Sequence, residues 1–329
     1  MTDATRTDAP RRSGLAGALA LALACGLWLL AGAFPAAAED APDSGFTTDE
    51  LEPLLQSLQN EGLPRPALDE IFYDGRLRRT RTVIALNSVN PDSADIYAQY
   101  SEPYAIGLAK RFKQRHYQLL DRVEREYGVP SNIITAVLLV ETQFGTYPLR
   151  YRVLDVYTTL VVDASQDAID RHYESIRAQY PEIERDYFAS RVTGKAQWAY
   201  GELVALLAMT GPDPQRLYDI KGSYAGAFGM PQFLPTSYLR FATDGDGDGR
   251  VDLNDTADAV ASIANYLREH GWRRSAGFEQ KMRSVWLYNR STHYVGAIFE
   301  ISRRMTLPPR KRPVPREHLT AFTGAGEPF

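Results

Sequence analysis

Residues 133–140 read Ile-Ile-Thr-Ala-Val-Leu-Leu-Val, and Pro130 and Ser131 stand where a helix opens. A helix that is apolar nearly all the way round belongs in the interior of a fold. This one ends on a single carboxylate, Glu141, one turn before Gly145. Burial and the negative C-terminal end of its own helix both favour the neutral carboxyl group. They raise its pKa toward the range where a general acid works at neutral pH. The ordinary alternative is a solvated or arginine-paired glutamate, with Arg150 and Arg152 as its partners.

The rest of the chain also reads as mainly helical. Thr47 precedes Asp49, Glu50 and a leucine row (Leu51, Leu54, Leu55, Leu58) that stops near Gly62. A second pattern runs from about Pro103 to Tyr127 and ends at Gly128. Residues 164–195 are polar without a clean repeat and read as a surface excursion, after which Trp198 to Met209 resumes a helical pattern. Turns follow from 211, then a helix-loop-helix pattern at about 235–270. Period-2 alternation is scarce, so at most a small sheet is expected.

The ends differ from the body. Arg11 and Arg12 precede an apolar run from Gly14 to Phe34 and the small residues Ala36-Ala37-Ala38, the order of a secretory signal peptide. The same run is long enough for an uncleaved membrane anchor. Cleavage after Ala38 and a periplasmic location are expected. Cys25, the only cysteine, would leave with the leader, so neither disulfide nor thiol chemistry remains. Removing residues 1–38 leaves 34 basic against 39 acidic residues, a balance that argues against nucleic acid as a partner. Residues 306–329 read as a basic, proline-rich tail.

Residues 244–255, DGDGDGRVDLND, place Asp244, Asp246, Asp248, Arg250 (through its carbonyl), Asp252 and Asp255 at positions 1, 3, 5, 7, 9 and 12 of an EF-hand-like loop. Gly249 falls where that loop turns sharply. Phosphate would be repelled by these acids, so a structural Ca2+ is expected, and no organic cofactor. Nothing here resembles HExxH, a serine elbow or a P-loop, which leaves carboxylate chemistry and Glu141.

Tyr127-Gly128-Val129-Pro130, Val140-Glu141-Thr142-Gln143-Phe144-Gly145 and the stretch from Gly222 to Tyr238, GSYAGAFGMPQFLPTSY, resemble the lytic murein transglycosylase B family, glycoside hydrolase family 103. So do the aspartate loop, Ala264-Asn265-Tyr266-Leu267 with Gly271-Trp272, and Tyr288-Asn289. The resemblance implies a lysozyme-like helical core over 129–305, with an additional N-terminal helical region over 39–128. It also implies a monomer that acts on peptidoglycan glycan strands, cutting the β-1,4 bond between N-acetylmuramic acid and N-acetylglucosamine. By the same resemblance Glu141 is the catalytic acid, and Ser223, Gln232, Tyr266, Tyr288 and Asn289 line the glycan groove. The family's paired arginines are replaced by Gly194-Lys195, and 164–195 reads as an insertion. A hydrolysing muramidase, with Asp155 or Asp163 activating water, and a non-catalytic calcium-dependent wall-binding protein are the competing readings.

Overall fold

Thr47 starts the first helix as its spacing predicts: its hydroxyl accepts the Glu50 N–H while the Glu50 carboxylate accepts the Thr47 N–H. The computed structural model describes residues 45–306 except 90–92 and 212; the leader with Cys25 and the tail beyond 306 lie outside the described residues. Its helices are α1 (Thr48–Asn60), α2 (Arg65–Phe72), α3 (Thr82–Ser88), α4 (Ala94–Ala98), α5 (Pro103–Arg115), α6 (Tyr117–Tyr127) and α7 (Ser131–Thr142). They continue with α8 (Val153–Val162), α9 (Gln166–Ile176), α10 (Arg185–Thr210), α11 (Pro214–Asp219), α12 (Pro235–Phe241), α13 (Thr256–Glu269), α14 (Phe278–Tyr288) and α15 (Thr292–Thr306). The sheet is small: β1 (Tyr151–Arg152) pairs antiparallel with β2 (Lys221–Gly222), Tyr151 opposite Gly222.

Helix α7 is the interior element its composition demands, with every residue from Ile133 to Thr142 buried. Helices α5, α6, α13 and α15 pack around it. A second layer forms where the long α10 lies against α8 and α12. One apolar core runs from Leu51 to Met305, so residue 128 marks a helix end, with Gly128 left-handed at φ 74°, and not a break in the core.

Two segments depart from the sequence reading. The pattern from Pro103 to Tyr127 is two helices, broken at His116. No glycine or proline marks the break; it lies beside the stacked rings of Phe112 and Phe144 (centroids 4.3 Å apart) and sends α6 toward α13. Residues 164–195 are not an irregular excursion. Ser165 caps α9, which buries Ala168, Ile169 and Ile176, and the first turns of α10 bury Phe188 and Val192. Charged neighbours on the outer faces hide this period in the sequence.

Candidate active site

Helix α7 delivers Glu141 into the core and then stops abruptly. Gln143, Phe144 and Gly145 all lie in the left-handed region (φ 49°, 64° and 78°). Only one other non-glycine residue among those described, Gln232, has positive φ. Such conformations cost about 1–3 kcal/mol each and persist where the surroundings over-determine them. Here the Thr142 hydroxyl donates to the Met230 carbonyl (2.9 Å) and accepts the Gly145 N–H (2.9 Å), while Phe144 stacks on Phe112. The turn at the end of α7 is thereby fastened to the loop that carries Gln232.

Glu141 has no solvent-accessible surface. Its Oε1 accepts the Tyr294 hydroxyl at 2.7 Å, and its Oε2 has no hydrogen-bond partner among the described residues. Loss of hydration pushes its pKa up to about 8, against a smaller opposing effect of the Tyr294 hydrogen bond. The arginine-paired alternative fails: Arg152 is bound to Asp155 (2.7 Å), and Arg150 is exposed.

Tyr294, which the sequence reading did not single out, comes from α15 and belongs to an aromatic wall. Tyr97 meets it edge-on at 5.9 Å and Tyr288 stacks at 6.3 Å. The Tyr288 hydroxyl donates to the Pro231 carbonyl (2.6 Å), next to Gln232. Contacts therefore run from Glu141 through Tyr294 and Tyr288 to the 228–233 loop. Gln232 uses its amide nitrogen on the Gly229 carbonyl but leaves its buried Oε1 unpaired; Asn289, buried, leaves both amide atoms unpaired. Buried polar atoms are almost always satisfied, so these three are exceptions that a polar ligand would resolve.

The other two expected groove residues are more committed to the fold. Ser223 Oγ accepts the N–H groups of Ala225 and Ala227, which shapes the turn. Tyr266 is buried against Phe233, Phe241, Tyr288 and His270, and its hydroxyl donates to the Leu287 carbonyl (2.6 Å). The two acids considered as water activators are likewise occupied. Asp155 is tied to Arg152 and the Arg78 N–H, and Asp163 to Arg79 and His172.

The acidic loop differs from the spacing-based assignment. The carboxylates that converge, with ligand oxygens within 4.8 Å of one another, are Asp244, Asp246 and Asp258. Asp255, expected at position 12, instead caps α13 by accepting the N–H groups of Ala257 and Asp258. Asp248 and Asp252 accept backbone N–H groups from Arg250 and Asn254, as Asp246 does from Asp248, and lie outside the three-carboxylate group. Asp258 is buried and accepts the N–H groups of Gly245 and Asp252, at 2.6 Å each. Three carboxylates at this spacing, on a loop bent by left-handed Gly247 and Gly249, suit a hard divalent cation.

Residues 46–285 match the transglycosylase SLT domain. The chain belongs to that family. The membrane-bound lytic murein transglycosylase B of Escherichia coli is 30% identical over 65% of this SLT-domain chain. The chain spans 55% of that relative's length. Among solved structures, the lytic transglycosylase SLT35 of Escherichia coli in complex with calcium aligns with TM-score 0.60 at 23% identity, over 82% of this chain and 97% of that one. SltB3 of Pseudomonas aeruginosa in complex with NAG-NAM-pentapeptide aligns with TM-score 0.61 at 19% identity, over 83% and 86% of the two chains. These likenesses establish a lytic-transglycosylase fold. Tyr288 and Tyr294 lie beyond the matched SLT-domain stretch, although Tyr294 bonds Glu141 and Tyr288 stacks on Tyr294.

Proposed function

We propose that this chain is a lytic transglycosylase that cleaves the β-1,4 bond between N-acetylmuramic acid and N-acetylglucosamine in peptidoglycan and leaves a 1,6-anhydromuramyl end. The observation that carries the reading is the setting of Glu141: a fully buried carboxyl group with one oxygen on Tyr294 and the other without a partner among the described residues, its pKa pushed up to about 8 by burial. Membership of the SLT domain family and the activity named for the Escherichia coli relative support it.

Because Oε1 accepts the Tyr294 hydroxyl, the acidic proton belongs on Oε2. It passes to the glycosidic oxygen as the bond to the muramyl C1 breaks, and the muramyl N-acetyl group steadies the positive centre. The resulting Glu141 carboxylate, its charge shared with the Tyr294 hydroxyl, takes the proton of the muramyl C6 hydroxyl as that oxygen bonds to C1. Glu141 is neutral again, and no water is consumed. Gln232 and Asn289 offer their unpaired amide atoms to the sugars, with Tyr288, Tyr266 and Ser223 shaping the wall.

In the two-carboxylate scheme a hydrolase uses a second acid to activate water, and Asp155 and Asp163 are both held in ion pairs. Mass spectrometry of the muropeptides decides. Anhydro products, one water lighter than the hydrolysis products, are expected. Reducing-end products would establish a hydrolytic muramidase, and binding without cleavage a calcium-dependent wall-binding protein.

The same reading includes a structural calcium at Asp244, Asp246 and Asp258, where it would pin α12 to α13 through the loop between them. It also includes export as a monomer with residues 1–38 removed; no helix among the described residues is long and apolar enough to cross a membrane. N-terminal sequencing of the mature protein tests the cleavage site.

A further inference from the structure

We propose that the outer face of α14 docks this protein on an anionic lipid bilayer. Phe278, Met282 and Trp286 stand four residues apart, which puts them in one row along the helix. They are 65%, 37% and 37% exposed, while α14 turns Ser284 and Val285 inward and the Phe278 ring meets Phe299 edge-on. Large apolar side chains displayed once per turn at the surface mark an interaction face.

The charge around the row selects the partner. Between 273 and 290 the chain has Arg273, Arg274, Lys281, Arg283 and Arg290 against one acid, Glu279, in a protein whose formal net charge is −4. Arg273, Arg274 and Arg283 are exposed, and the Arg290 guanidinium lies 5.5 Å from the centre of the Trp286 ring. Aromatic rings with flanking cations suit the headgroup layer of an anionic membrane, where the ring enters the interface and the cations meet phosphate. A glycan strand needs hydrogen-bonding groups beside a stacking ring, and Phe278 and Met282 offer none. A second copy would bring like charges together.

The geometry also keeps the two ligand faces apart. Trp286 and Tyr288 are two residues apart, about 200° around a helix. Docking centred on Met282 and Trp286, about 120° and 160° from Tyr288 by the shorter way round, leaves the Tyr288 side of α14 turned from the lipid. The inference does not depend on the transglycosylase reading.

The chain from residue 39, which retains every described element, is sedimented with vesicles of phosphatidylglycerol and phosphatidylethanolamine and, separately, of phosphatidylcholine. Binding to the anionic vesicles alone is expected, weakening with salt and shifting tryptophan emission to the blue. Phe278→Ser combined with Trp286→Ser should weaken that binding at least about tenfold, from the apolar area withdrawn. The double variant should still melt near the wild-type temperature and clear soluble glycan strands at the wild-type rate. Arg283→Glu, at an exposed site, is the second variant and should weaken binding severalfold. Four results would each overturn the proposal: no sedimentation with anionic vesicles at low salt, equal binding to neutral ones, undiminished binding by a folded double variant, or a double variant that loses self-association or glycan-strand retention instead.

Discussion

The Tyr294 hydroxyl donates to Oε1 of Glu141 at 2.7 Å across 153 positions of sequence, joining α15 to the end of α7. The bond orients the carboxyl group and stabilises its anion. In Tyr294→Phe the Glu141 pKa should therefore rise further, because that hydrogen bond is what opposes burial. The alkaline limb of the pH–rate profile should move upward and kcat should fall roughly tenfold, the loss of one hydrogen bond of about 1.5 kcal/mol to a charged group. An unmoved limb would separate the tyrosine from the acid.

Glu141→Gln keeps the shape of the side chain and removes the proton. Clearing of purified peptidoglycan should drop at least about 10²-fold, the lower end of general-acid effects, while far-UV circular dichroism stays unchanged. A variant retaining more than about a hundredth of the wild-type rate would remove Glu141 from the mechanism.

The same substitution has a stability signature. The folded-state pKa of Glu141, about 8, lies above its ordinary 4.5, so the folded protein holds a proton that the unfolded chain releases between those values. Its contribution is complete below 4.5 and is lost as pH rises toward 8, at about 1.4 kcal/mol per pH unit at the steepest. Glu141→Gln has no such charge to bury. Its melting temperature should exceed that of the wild type, and the gap measured by calorimetry should widen from pH 5 to pH 8.

Calcium, added after chelation, should raise the melting temperature of the wild type, because it binds the folded state preferentially. Asp244→Asn with Asp258→Asn should abolish the rise, whereas Asp255→Asn should keep most of it, since that side chain caps α13 instead of joining the cluster. The reverse order in a thermal-shift titration would restore the loop-position assignment.

Gly226 lies at φ +76°, and a Cβ there would sit 2.4 Å from the ring of Tyr157, whose hydroxyl donates to the Gly226 carbonyl. Gly226→Ala should cost about 2–4 kcal/mol by urea denaturation, as overpacking and a strained left-handed backbone add. Gly201→Ala is the control, in open space within α10.

Much of this architecture was legible because local pattern and tertiary need coincide. The run before Glu141 has no polar side, so only a central helix could accept it, and the buried acid followed. What escaped the sequence depends on contacts without local marks. His116 is an ordinary helix residue until its neighbours in space bend the chain. Asp258 lies past the twelve loop positions; its signal was an acid heading the apolar run Ala259, Val260 and Ala261. Tyr294 opens the buried row Tyr294, Val295, Ile298 and Ile301 of α15, which told of a packed helix but not of which carboxyl group its first member would meet.

The packing of α15 on α7 also sets an order in time. Ribosomes deliver a chain from its N-terminus, so Glu141 emerges well before the helix that holds it through Tyr294. Until α15 docks, Glu141 lacks the Tyr294 hydroxyl that holds its Oε1, and the packing around α7 that favours its neutral form is incomplete. An incompletely made chain thus has the acid without its surroundings. The setting that favours the neutral acid therefore appears only with the finished fold.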